Sequence, residues 1–172
     1  SCAVEIIKEV DVGNGFVDAN VAPFPILEVG AGPTKYRLKV TNNSSVEMNP
    51  VNVTDGILGV ATDIGPMTSG QVITLDENDI PALSVANRCD TAGSKLNTSE
   101  VTGTCKASSQ VTAFDSDPAT IECVPPPQIQ IIKEISVDGE GGRYVDANDA
   151  GSAPVVEYPS DAWYRIKVTN PG

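Results

Sequence analysis

The chain has 172 residues, with 11 lysines and arginines against 23 aspartates and glutamates, for a formal charge of −12. Such an excess of carboxylate repels nucleic-acid backbones and anionic membrane surfaces, which argues against both as partners. Histidine is absent, which removes the usual general acid or base at neutral pH and the commonest zinc and copper ligand, and the chain is read as a non-enzyme.

Val, Ile and Thr recur, Gly and Pro are frequent, and no stretch has helical apolar spacing, so an all-β chain is predicted. The first strand covers residues 4–10 and carries Lys8. That lysine is read as a solubilising group on an exposed strand face, where it blunts the sheet edge. Gly13-Asn14-Gly15 then turns the chain into Val17-Asp18-Ala19-Asn20. Asp18 and Asn20 place oxygen ligands two residues apart on one side of an extended segment, as calcium loops do, and Asp146 and Asn148 repeat the pattern. Calcium is thus the one cofactor suggested, with Asp55 and Asp63 able to complete a shell. An Asx turn, in which the side chains hold their own backbone, is the preferred reading of the two.

In the next strand Tyr36, Leu38 and Val40 alternate with Arg37, Lys39 and Thr41, a period of two with a buried and an exposed face. Asn42-Asn43-Ser44-Ser45 follows as a loop. Asn42, Asn43, Asn52 and Asn97 each open an N-x-S/T sequon, and Asn42 and Asn43, in the predicted loop, are the glycosylation candidates. Further strands are predicted at residues 50–54, 71–75, 97–104, 110–114 and 119–124. Asp115-Ser116-Asp117-Pro118 is read as the turn between the last two. About seven short strands in this length are the signature of an Ig-like antiparallel β-sandwich.

The four cysteines, Cys2, Cys89, Cys105 and Cys123, have no C-x-x-C spacing and no histidine partner, so disulfides are expected and with them an oxidising, extracellular location. Strand alternation puts Cys2 with Cys105 at one pole and Cys89 with Cys123 at the other. A local Cys89–Cys105 bridge, leaving Cys2 and Cys123 to pair between units, is the alternative. No apolar run is long enough to cross a bilayer as a helix, and no signal peptide opens the chain.

The chain also repeats itself. Ile6-Ile7-Lys8-Glu9 returns as Ile131-Ile132-Lys133-Glu134, Val17-Asp18-Ala19-Asn20 as Val145-Asp146-Ala147-Asn148, and the strand from Tyr36 to Asn42 as that from Tyr164 to Asn170. Ordered matches of this kind mark a tandem repeat. Residues 1–123 are read as one complete sandwich, 124–127 as a semi-rigid proline joint, and 128–172 as the first strands of a second, incomplete copy. That copy is expected to be completed by a longer chain or a neighbouring subunit, because Ile131, Ile132, Tyr164, Ile166 and Val168 form an apolar face.

Taken together, Lys8-Glu9, Val17 to Asn20, Tyr36 to Asn42, Val51-Asn52-Val53-Thr54-Asp55, Leu96 to Gly103 and Asp115 to Ile121 resemble the Ig-like tandem repeats of prokaryotic cell-surface proteins. The resemblance implies a structural repeat of a surface stalk or fibre whose partners are copies of itself or adjacent repeats. The four cysteines depart from that family's general pattern. An adhesin module recognising a glycan or protein through loops at one pole is the alternative function, against which the single tryptophan, Trp163, weighs. Lys8 and Lys133 also resemble the lysines of the lysine, asparagine and carboxylate sets that form isopeptide bonds in some surface sandwiches. The exposed-lysine reading is preferred here.

Overall fold

The computed structural model describes residues 1–106, 111–149, 151–157 and 159–171. The chain separates into two compact units, Ser1–Pro125 and Pro126–Gly172, with the division inside the proline run. Proline has a fixed φ and no N–H, so no ladder continues across such a run.

In unit 1, β1 (Val4–Asp11) is followed by β2 (Val17–Asp18), β3 (Ile26–Glu28), β4 (Thr34–Asn42), β5 (Met48–Asp55), β6 (Val60–Asp63) and β7 (Val72–Leu75). A single 3-10 turn at Pro81–Leu83 leads to β8 (Ser84–Val85), β9 (Gly93–Cys105) and β10 (Val111–Val124). One five-stranded sheet has the order β2-β1-β4-β7, with β8 also pairing β4; the other has the order β3-β10-β9-β5-β6. Their inner faces meet in one core. Val4, Ile6 and Val10 of β1 and Tyr36, Leu38 and Val40 of β4 pack against Val51 and Val53 of β5, Val101 of β9, and Ala119 and Ile121 of β10. The period-two alternation read from the sequence is what sorts these residues inward. Gly103 leaves room for the Met48 side chain: a Cβ there would meet the sulfur at 2.7 Å, and the thioether would have to shift.

The cysteines pair across the two ends, Cys2 with Cys105 and Cys89 with Cys123, and none is free. The first bridge ties the segment entering β1 to the end of β9. The second ties the segment entering β9 to the end of β10.

The predicted turn at Asp115–Pro118 is not a turn. β10 runs through it, paired with β9 from Val111↔Cys105 to Cys123↔Gly93 without a register shift; Gln110, where the sequence reading began this strand, lies outside the described residues. Two details let turn-forming residues sit inside a strand. The Thr120 and Glu122 N–H groups point away from β9, to the Ala19 and Pro25 carbonyls at 3.0 and 2.9 Å. Pro118 is in the same phase, so its missing N–H costs no ladder bond. Asp115 and Asp117 use their carboxylates across the sandwich, accepting the backbone N–H of Ile6 at 2.8 Å and of Lys8 at 2.6 Å. These N–H groups lie on the side of β1 turned away from β4, and the two aspartates satisfy an edge that would otherwise be open.

Unit 2 is one antiparallel sheet, β12-β11-β13, formed by β11 (Gln130–Ser136), β12 (Val145–Asp146) and β13 (Trp163–Thr169). Its register repeats that of unit 1: Ile131↔Val168 matches Ile6↔Val40, and Glu134↔Arg165 matches Glu9↔Arg37. The outer-face chemistry repeats as well. Glu9 accepts from Arg37 at 2.6 Å and Lys39 at 3.2 Å, and Glu134 accepts from Arg165 at 2.8 Å and Lys167 at 3.1 Å. Phe16 lies 4.4 Å from the Arg37 guanidinium and Tyr144 lies 4.4 Å from that of Arg165. The inner faces differ. Tyr36 is 0% exposed beneath the second sheet, and Tyr164 is 59% exposed. Ile131, Tyr164, Ile166 and Val168 form the apolar face; Ile132, expected with them, points to the opposite side because neighbouring strand residues alternate.

Replacing Asp117 with Ala should cost about 1–3 kcal/mol, the penalty of leaving the Lys8 N–H unpaired in the sandwich. Ser116→Ala, on the exposed phase of the same strand, should change stability by less than about 0.5 kcal/mol. Urea unfolding midpoints of the two variants provide the comparison.

Candidate functional site: a lysine, an aspartate and an asparagine inside the sandwich

Lys8 does not lie on an exposed strand face. It follows Val4 and Ile6 and precedes Val10 on the inward phase of β1, and its side chain is fully buried. The Nζ donates to Asp55 Oδ2 at 2.5 Å and to Ser99 Oγ at 3.0 Å, and lies 4.7 Å from the centre of the Tyr36 ring. A charge so far from water persists only with partners of this kind. Burial holds the amine down to about 8, against the opposing pull of Asp55.

Asp55 closes β5 at its inward end, and it too is buried. Its Oδ2 also accepts the Ser99 hydroxyl at 2.7 Å, while its Oδ1 accepts the N–H groups of Ile57 and Leu58 at 3.1 and 3.0 Å. The β5–β6 hairpin thus fixes the carboxylate as an acceptor. With every one of these positions taken up inside the core, Asp55 has no place in a calcium shell around Asp18, contrary to the expectation from the sequence. Asp63 is likewise turned to its own hairpin, accepting Val51 and Gly65 N–H at 3.1 and 2.9 Å.

On β9, Asn97 and Ser99 share the inward face, two residues apart. Asn97 is completely buried, and neither its Nδ2 nor its Oδ1 makes a hydrogen bond of good geometry. It lies beside the Tyr36 hydroxyl, whose pKa burial raises and Arg88 and Asn97 draw partly back. Arg88 donates to that hydroxyl at 3.3 Å and to the Leu96 carbonyl at 2.9 Å. The site therefore brings together an amine, a carboxylate and a primary amide from β1, β5 and β9, walled by a tyrosine from β4. The sequence did carry a signal for it: Lys8 is in the phase of Val4, Ile6 and Val10.

The other candidates lie elsewhere. Asp18 Oδ1 accepts the Asn20 N–H at 3.2 Å, an Asx turn, and Asn20 Nδ2 donates to Asp117 Oδ1 at 2.9 Å. Asp146 pairs with Glu134 in the unit 2 sheet, and next to Asn148 the Asp149 carboxylate accepts Gly151 and Ser152 N–H. Among the described residues no group of three or more Cys, Asp or Glu side chains is placed to hold a metal ion. Asn42 does not lie in a loop. It ends β4 fully buried, and its Nδ2 donates to the carbonyls of Val46, Met67 and Thr68 at 2.9–3.1 Å, which removes it as a glycan acceptor in the folded chain. Asn43 is exposed, with its amide 3.3 Å from Glu5.

No family model matches the chain, and no curated protein matches it significantly. The fold and the site define the class instead: an all-β sandwich with two disulfides and a polar cluster at its centre. The described residues contain no helix long and apolar enough to cross a membrane.

Lys8→Met should leave the Asp55 carboxylate buried without its counter-ion. The double variant Lys8→Met/Asp55→Leu should recover about 3–5 kcal/mol relative to that single variant. Guanidinium unfolding of both variants, compared directly, gives the difference.

Proposed function

We propose that the protein is a structural repeat of an extracellular surface stalk or fibre, related to the Ig-like tandem repeats its motifs resemble. The carrying observation is the internal repetition. Two units separated by a proline run share strand register, the Glu–Arg–Lys cluster on the outer face and an aromatic ring over the arginine. Recognition modules need one site, whereas a repeated scaffold serves extension.

Two disulfides in a unit of this size fit an oxidising environment. The unit 2 face of Ile131, Tyr164, Ile166 and Val168 has the composition of the unit 1 face that the β3-β10-β9-β5-β6 sheet covers. In the assembled material a sheet of that kind, from a copy of the protein or an adjacent repeat, covers it.

Electron microscopy of native material labelled with an antibody to unit 1 should show the label repeating along filaments or stalks. Label confined to discrete globular particles, together with saturable binding to a glycan array, would favour the adhesin reading instead.

A further inference from the structure

Among the described residues, two side chains in unit 1 keep buried polar atoms without a partner: Thr34, through its hydroxyl alone, and Asn97, through both ends of its amide. A buried primary amide with neither donor nor acceptor satisfied is costly and rare in a well-packed core. Asn97 is fully buried beside the Tyr36 hydroxyl, and neither side-chain atom has a well-formed hydrogen bond. It shares the cavity around Tyr36 with a buried primary amine and a buried carboxylate. Lys8 Nζ is held at Ser99 Oγ, and Ser99 is two residues from Asn97 on the same face of β9, a separation of about 7 Å along an extended strand. Both groups also lie against Tyr36, the amine over its ring and the amide beside its hydroxyl, so the amine and the amide share one polar pocket between the two sheets.

We infer that Lys8 and Asn97 join in an intramolecular isopeptide bond across the sandwich, with Asp55 moving the proton. The bond Lys8 Nζ–Asn97 Cγ forms as the bond Asn97 Cγ–Nδ2 breaks. Starting from the ion pair, one ammonium proton moves to the Asp55 carboxylate and frees the amine; Asp55 then gives a proton to the departing nitrogen, which leaves as ammonia, and takes the second proton of the amine, so that it ends as the neutral acid. No oxidant, reductant or activating group is required. The lowered amine pKa supplies neutral nucleophile at physiological pH. The hydrogen bonds on both Asp55 oxygens keep that carboxylate in place as acceptor, and a carboxylate so held is a poorer electrophile than the unpaired amide. The product also resolves the anomaly: the buried ion is neutralised, and the orphaned –NH2 is gone. Lys133 repeats the amine-over-ring arrangement, 4.4 Å from the centre of Tyr164, but is exposed, and it serves as an internal control.

Mass spectrometry of the full 172-residue chain tests this directly. After reduction and denaturation, the intact mass should fall short of the sequence mass by one ammonia. Digestion should yield a single branched peptide containing Lys8 and Asn97. An amine-reactive reagent applied to the denatured chain should modify Lys133 and leave Lys8 untouched. Lys8→Arg and Asn97→Ala should abolish the deficit. Asp55→Asn should slow its appearance by about a hundredfold or more, the loss expected for a proton-transfer group. Native disulfide pairing in each variant serves as the folding control. A full sequence mass in wild-type chain with both disulfides formed overturns the proposal, whatever the variants do. A deficit of one water places the bond on Asp55 and overturns Asn97 as its partner. An unchanged rate in folded Asp55→Asn overturns the role given to Asp55.

Discussion

The ion pair between Lys8 and Asp55 is the constraint around which unit 1 is arranged. Two charges removed from water must be re-solvated by protein, at a cost of several kcal/mol per ion where the partners are imperfect. The partners come from four strands. β1 supplies the amine, β5 the carboxylate, β9 the Ser99 hydroxyl that touches both, and β4 the Tyr36 ring that covers them. Only one relative placement of the two sheets satisfies all of these at once. A one-residue slip of β1 would turn Lys8 to solvent and bring Ile7 or Glu9 inward. The apolar residues flanking the site supply the driving force for burial, and the polar cluster selects the register in which burial occurs.

The two faces of β1 and β4 are organised by different physics, and unit 2 separates them. On the outer face, the Glu9 cluster and its counterpart at Glu134 are built from groups within one sheet, so they form whether or not a second sheet is present. On the inner face, Tyr36 and Tyr164 occupy equivalent positions, yet one is buried and the other exposed. Local pairing fixes the register of a strand pair, but only a second layer gives its apolar side an interior.

Much of this was legible from residue order. The alternation of Tyr36, Leu38 and Val40 predicts their burial, and the placement of strand ends predicts the pairing of Cys2 with Cys105 and of Cys89 with Cys123. What misled were residues whose usual preference is overridden by a distant partner. Asp115, Asp117 and Pro118 are turn formers, but two accept β1 N–H groups and the third has its bare nitrogen on the outer edge. Asn42 sits among loop-forming residues, yet three backbone carbonyls from other segments draw its amide inside. Lys8 has the chemistry of a surface residue and the phase of a core residue, and phase prevailed because Asp55, far along the chain, was there to meet it. Propensity is a local quantity, and each of these outcomes was decided by a contact the local sequence does not contain.

The disulfides set how unit 1 carries tension. A pull between its entrance and its exit enters at Cys2, crosses the first bridge to Cys105, runs back along β9 to Cys89, and crosses the second bridge to Cys123. Residues 3–88 and 106–122 are shunted off this covalent route, so even complete unfolding of their strands releases no length to the line of force. Most of the part that remains, Gly93–Cys105, is already an extended strand in the middle of its sheet, near the limit of about 3.4 Å per residue. Under load the sandwich therefore behaves as a short inextensible strut, and whatever elasticity the chain possesses lies outside it.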